Sequence, residues 1–301
     1  MPRSTHRSHL GTRLAAHPVL EPVPGWFLGF GQSATLATRF RKKIWRLFRN
    51  SFQVAWLDGL QLTLIPRNET SRSIFVTGRY EPNEFCLLTR ILKPGMTFID
   101  IGANMGLYTL FAARRVGESS CVIAIEPSTR EMEILRNNVE QNTLGNVRLY
   151  HVALSDRASE VELLVAGLQN SGHNTLGAFG YNTTLDHREN VRSMRLDDLV
   201  QSEKLRRVDV IKMDIEGAEL VALRGASETM QRFHPVVLLE LSDRVLQHQH
   251  SNSAGVLDLL TREGYRFFGF AADTGLPAPL EREDYFDSQN VIAVCGDSLP
   301  W

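Results

Sequence analysis

The stretch Met96-Thr97-Phe98-Ile99-Asp100-Ile101-Gly102-Ala103-Asn104-Met105-Gly106-Leu107-Tyr108-Thr109 constrains the fold more than any other part of the chain. An apolar run reaches Asp100, passes a turn with glycines at 102 and 106, and continues into a helical pattern reaching Arg114. That order predicts a strand, a tight turn and a helix. Gly102 can supply backbone angles closed to other residues, and Gly106 permits close approach of a ligand or a helix. Asp100 then sits at the carboxyl end of a strand, where open α/β sheets bind their ligands. The turn alone also suits an ordinary βα connection, so its meaning depends on what surrounds it.

Downstream, strand-like runs at residues 121–125, 147–152, 208–213, 235–241, 265–270 and 290–294 alternate with helical patterns at 129–142, 219–223 and 254–263. Strands separated by crossover-length helices predict a largely parallel sheet with helices on both faces. Residues 159–165 read as an extra strand, and residues 167–190 as a loop rich in Gly, Asn, Thr and His. Upstream, Asp58-Gly59 between two apolar runs is a hairpin signal. Residues 74–77 read as a third short strand, and residues 80–92 as a turn leading into a helix.

The 301 residues carry a formal charge of -1, unevenly placed. Residues 1–50 hold nine Arg or Lys against Glu21, a net of +8, which leaves -9 for the remainder. Residues 1–35, rich in Pro, Gly, Ser and Arg, predict a flexible basic arm, most simply a solvated tail. Residues 36–48 predict a basic amphipathic helix with Leu36, Phe40, Ile44 and Leu47 on one stripe. The stripe is short, so packing on the body is expected ahead of membrane docking, although a basic segment on an acidic body suits peripheral contact with a membrane or another anionic partner. Three segments result: the arm at 1–35, an accessory helix and hairpin layer at 36–95, and a nucleotide-binding domain at 96–301.

No apolar stretch is long enough to span a bilayer, and Pro18, Glu21, Pro22 and Pro24 interrupt anything resembling a secretory core. Cys86, Cys121 and Cys295 are too scattered for a disulfide scaffold or zinc cluster; the latter two read as buried thiols. A cytoplasmic location is the expectation.

Glu126 lies 26 residues after Asp100, at the end of the next predicted strand. A carboxylate there can accept both ribose hydroxyls of a nucleoside. The glycine turn lacks the Gly-x-Gly-x-x-Gly register of dinucleotide sites, and Asp100 would repel a pyrophosphate. Its carboxylate instead suits an ammonium group. S-adenosylmethionine offers both a ribose and an ammonium, which favours methyl transfer. Ala103, Asn104 and Pro127 share the two strand-end turns. Ser155 and Asp156, after the next strand, can hydrogen-bond an adenine amine or simply cap a turn.

A further strand end concentrates Lys212, Asp214, Glu216 and Glu219. Asp214, Glu216 and His173 are the candidates to take a hydroxyl proton. Lys212 either pairs with Asp214 or Glu240 or holds an acceptor oxygen. Paired carboxylates can also hold a divalent cation, but no compact ligand signature requires one and no metal residue is assigned.

Together, Phe98–Gly106, Ile125-Glu126-Pro127, Ala153-Leu154-Ser155-Asp156 and Asp209–Glu219, downstream of Leu196-Asp197-Asp198-Leu199, resemble the FkbM-type methyltransferases, a class I S-adenosylmethionine-dependent family. The resemblance implies an α/β, Rossmann-like, mostly parallel seven-stranded sheet whose last strand is inserted antiparallel. It also implies cofactor contacts at Asp100, Gly102, Asn104, Glu126 and Asp156, with the 212–216 segment bordering the acceptor. The implied reaction is O-methylation of a sugar, glycolipid, polyketide or related metabolite. Competing readings are an NAD-dependent oxidoreductase and a noncatalytic binding protein on the same fold. The lack of an aromatic-rich platform makes nucleic acid a poor acceptor.

Overall fold

The computed structural model describes residues 32–280 and 286–296. The expected arm therefore lies outside the described residues up to residue 31, and helix α1 (Gln32–Trp45) begins inside its last few positions. The Asp58-Gly59 signal yields an antiparallel hairpin of β1 (Phe52–Ala55) and β2 (Gln61–Leu64). Two helices follow, α2 (Glu69–Thr77) and α3 (Pro82–Ile91). The strand expected at 74–77 is thus the last turn of α2. Its start is fixed by the Asn68 side chain, which accepts the Ser71 N–H, and its end by Gly78 in the left-handed conformation. Local capping overrides the β-branched composition there.

The body alternates β3 (Thr97–Ile101), α4 (Leu107–Val116), β4 (Cys121–Ile125), α5 (Thr129–Gln141) and β5 (Val147–Tyr150). It continues through a small three-stranded sheet of β6 (Ala153–Leu154), β7 (Ser159–Ala166) and β8 (Leu185–Met194). Then come α6 (Leu196–Ser202), β9 (Val210–Met213), α7 (Glu219–Arg224), α8 (Ser227–Phe233) and β10 (Val236–Leu241). The last described elements are α9 (Asp243–Leu246), α10 (Ser253–Arg262), β11 (Tyr265–Phe270), β12 (Pro277–Pro279) and β13 (Gln289–Cys295). The main sheet has eight strands in the order β12-β11-β13-β10-β9-β3-β4-β5. The expected seven are present with β13 inserted antiparallel between β10 and β11, and β12 adds an outer strand. Two sequence expectations fail at the small sheet. The strand expected to reach Val152 stops at Tyr150, and residues 185–190, expected as loop, pair with β7.

Side-chain alternation along the strands divides the core between the two faces. Phe98, Val122, Ala124, Val210 and Leu238 face one core, shared with the hairpin, α3 and α4. Ile99, Ile101, Ile123, Ile125, Ile211, Met213, Val237 and Leu239 face the other, under α6, α7, α8 and α10. The hairpin is tied to the body through α5. Asn142 Oδ1 accepts the Gln61 N–H (2.7 Å), and Asn138 Oδ1 accepts the Thr63 N–H (3.0 Å). These asparagines therefore satisfy an open strand edge, besides shaping the end of their own helix.

The apolar stripe of α1 does not pack on the body as expected. Trp45, with Phe48 just beyond the helix, turns inward against Phe52 and Phe75, and Arg41 donates to the Val76 carbonyl. Larger aromatic rings fill the available space, leaving Leu36, Phe40 and Leu47 on the outside. Cys121 and Cys295 are half-buried, not fully buried, and Cys86 is exposed. Among the described residues no helix is long and apolar enough to cross a membrane.

Candidate active site

A cleft partly open to solvent lies at the carboxyl ends of β3, β4 and β9. Its floor is the glycine turn. Gly102 has φ 78°, and a Cβ there would lie 1.9 Å from the Asp214 carbonyl oxygen, so two strand ends touch backbone to backbone. Gly106 also has positive φ, but a Cβ would meet Leu135 of α5 at 2.5 Å. Its close approach therefore serves helix packing, and it does not line the cleft.

Asp100 is buried, accepts the Thr109 hydroxyl at 2.5 Å and faces the cleft. Burial pushes its carboxyl up to about 6 against the opposing effects of Thr109 and Lys212. Glu126, just past β4, accepts the Asn104 N–H on Oε2 (2.8 Å) and the Ser128 N–H on Oε1 (2.9 Å). Burial nevertheless raises it to about 8. Each of its oxygens retains capacity for a further donor. Ala103, Asn104 and Pro127 line the cleft beside it, with Val152, Ala153, Leu154, Leu163 and Leu176 forming an apolar wall.

Sheet register assembles the opposite side. Asp100 pairs with Lys212, and Lys212 with Leu238, so Glu240, two residues on, shares their face. Lys212 is buried with Nζ 3.2 Å from Asp214 Oδ2 and 5.0 Å from the centre of the Tyr108 ring. Burial alone would lower its pKa, but Asp214, then Glu81, Glu240 and Asp100, raise it, so it stays an ammonium. Glu240 is raised to about 8, first by Asp214 and then by burial. Glu216, at φ 51°, is raised by removal from water and then by Asp214 and Glu240. His173 lies outside the cleft lining, with Nδ1 2.8 Å from Thr183 Oγ1, and burial lowers its pKa.

A family model for the methyltransferase FkbM domain matches residues 100–267, more than half of the chain. This chain is an FkbM-type methyltransferase. Among curated relatives, it is 26% identical over 161 residues to Methyltransferase 1 of Beauveria bassiana, covering 48% of this chain and 64% of that one. It is 27% identical over 189 residues to 2-O-methyltransferase NoeI of Sinorhizobium fredii, covering 58% and 74% respectively. The alignment thus spans just under two thirds of the first relative. A crystal structure of methyltransferase FkbM from Methylobacillus flagellatus superposes with a TM-score of 0.42 at 16% identity, covering 74% of this chain and 54% of that one.

The family is S-adenosylmethionine-dependent, and the cleft fits that cofactor. Glu126 can take ribose hydroxyls, the apolar wall can take an adenine, and Asp100 can face an ammonium. The dinucleotide alternative falls with the family match. Of the site residues read from sequence, Asp100, Gly102, Ala103, Asn104, Glu126, Pro127, Lys212 and Asp214 converge on the cleft. Glu216 is not in its lining, and its backbone carbonyl accepts the Thr175 hydroxyl (2.8 Å). Ser155 and Asp156 are not brought there: the chain leaves β5 early to form β6, and the Ser155 N–H bonds the Met194 carbonyl.

Sequence reading missed Thr70, Tyr80 and Tyr108 on the wall and Glu81 behind it. Tyr108 donates its hydroxyl to Glu81, which sits at φ 39°. Thr70, Tyr80 and Glu81 belong to the expected accessory layer, and Tyr108 to the glycine-turn stretch itself, but nothing in their local pattern marks them as lining a site. The Asp197 of the Leu-Asp-Asp-Leu segment is structural. It accepts the Thr229 N–H (2.8 Å) and hydroxyl (2.7 Å), holding α8 to α6. Among the described residues no group of three or more His, Cys, Asp or Glu is placed to hold a metal.

Proposed function

We propose that this methyltransferase acts on a hydroxyl oxygen of an uncharged, polyhydroxylated acceptor such as a sugar, glycolipid, polyketide or related metabolite. The observation that carries the reading is Asp214, a partly exposed carboxylate on the cleft wall, held by buried Lys212. Glu81, Glu216 and Glu240 surround the pair with their carboxyls raised toward the neutral form, so the acceptor side offers groups that hydrogen-bond hydroxyls. Tyr80 supplies an aromatic face to the same wall.

When bound, S-adenosylmethionine supplies an electrophilic methyl carbon on a sulfonium. Asp214 aligns the acceptor hydroxyl and receives its proton as the new C–O bond forms and the C–S bond breaks toward sulfur. Lys212 fixes the Asp214 carboxylate through the 3.2 Å contact of Nζ with Oδ2. Asp100 and Glu126 would hold the cofactor, with Glu126 tied to the glycine turn through the Asn104 N–H. Consistent with an oxygen acceptor, the Sinorhizobium relative is named a 2-O-methyltransferase.

The test is an acceptor panel with methyl-labelled cofactor, read by mass spectrometry of the products, with and without chelator. Methyl ethers on neutral sugar or polyketide hydroxyls support the reading. Label confined to nitrogen, or to anionic acceptors, overturns it. Binding of the cofactor with no turnover across the panel would favour a noncatalytic role.

A further inference from the structure

The outer surface of α1 is built differently from the rest of the molecule. Leu36, Phe40 and Leu47 are 69%, 58% and 74% exposed. Leu36 and Phe40 lie one helical turn apart, and Leu47 lies just past the helix end. Arg39, Lys42, Lys43, Arg46 and Arg49 are exposed along the same segment. No acidic residue occurs between Glu21 and Asp58. The opposite face is fully engaged, since Trp45 and Phe48 pack in the aromatic cluster with Phe52 and Phe75. The outward apolar stripe thus has no use in the core, although its exposure costs free energy in water.

We propose that α1 docks the protein on an anionic lipid surface, with Leu36, Phe40 and Leu47 entering the headgroup–acyl boundary. An apolar stripe bordered by Lys and Arg, without carboxylates, is the pattern of helices that lie in a membrane interface. Long basic side chains can keep their charges at the headgroups while their stems cover apolar surface. An acidic protein partner would use the charges but leaves three bulky apolar groups unexplained. The charge bias also argues against a second copy of this chain, which would bring the same positive face to itself. Helix α1 packs on α2, and α2 carries Thr70 at the cleft, so docking would place the bilayer one helix away from the acceptor opening.

The experiment uses the full chain and sedimentation with vesicles of phosphatidylcholine alone or mixed in equal parts with phosphatidylglycerol. The chain is expected to partition onto the mixed vesicles, to leave them as salt is raised, and to bind neutral vesicles far more weakly. Lys42→Glu with Lys43→Glu should cut partitioning by more than about tenfold, because each basic group near such a surface contributes appreciably. Leu36→Ser with Phe40→Ser should cut it comparably, while the melting temperature and methyl transfer to a soluble acceptor stay unchanged in both variants. Absence of partitioning by the parent chain overturns the proposal, as does partitioning that neither pair of substitutions alters. Light scattering separates the remaining occupant: a dimer abolished by Phe40→Ser, without vesicle binding, would assign the face to a second copy.

Discussion

At Glu126, two backbone N–H groups hold a carboxylate whose burial favours the protonated form. A ribose would add hydroxyl donors to the charged form. Glu126→Gln keeps the shape but loses that charge, so affinity for S-adenosylhomocysteine should fall about tenfold or more by calorimetry, the scale of a charged hydrogen bond. Gly102→Ala should be harsher, because its Cβ would collide with the Asp214 carbonyl at a φ that L-residues avoid. Loss of adenosyl binding together with a lowered melting temperature is expected; a wild-type melting profile would contradict the backbone contact. Residues beside the glycine turn were legible because strand, turn and helix follow one another in sequence. Glu126 was legible as the next strand end. Glu240 was legible as a possible partner of Lys212, whereas Tyr80 and Glu81 were not, since only the fold-over of the segment before α3 brings them to that side of the cleft.

Between elements, the attachment of the hairpin to α5 depends on a few side-chain amides. Asn138 is fully buried; it accepts the Thr63 N–H and donates to the Met105 carbonyl (2.8 Å) in the cofactor turn. Asn138→Leu strands both backbone groups and should cost about 2–6 kcal/mol in denaturant unfolding, at roughly 1–3 kcal/mol per unsatisfied buried group. It should also weaken adenosyl binding through Met105. A loss under about 0.5 kcal/mol, the scale of an ordinary surface change, would show that the hairpin is held otherwise. Helix α5 itself was evident from periodicity. Its role in satisfying a foreign strand edge was not, because an Asn near a helix end is most economically read as a cap. The same limitation applies to α1, where periodicity identified an apolar stripe but the larger rings on the other side took the core.

For the whole molecule, the parallel order and the antiparallel last strand were anticipated from alternation and family likeness, whereas of the small sheet only β7 was, as the extra strand at 159–165. The sheet's long-range pairing leaves little local signal: β8 is a polar, largely exposed strand. Electrostatics gives a prediction at this scale. Asp100 at about 6, Glu219 at about 7, and Glu126 and Glu240 at about 8 all stand above ordinary carboxyl values. The folded state therefore binds more protons than the unfolded chain between the ordinary and raised values. Stability from these groups is fully present below the ordinary values and is lost as pH rises through about 6 to 8. Scanning calorimetry of the ligand-free chain should show its melting temperature falling across that window. S-adenosylhomocysteine, by favouring ionised Asp100 and Glu126, should stabilise more strongly at the upper end. A melting temperature that rises across the window would contradict this charge arrangement.

In the proposed reaction, cofactor positioning and proton removal are carried by different residues of one cleft. The most direct test is Asp214→Asn, measured in parallel for turnover on a hydroxyl acceptor and for S-adenosylhomocysteine affinity. The prediction is a loss of about a hundredfold or more in turnover, the scale of general base catalysis, with affinity within about threefold of the parent. Equal losses in both, or full turnover in the variant, would contradict it.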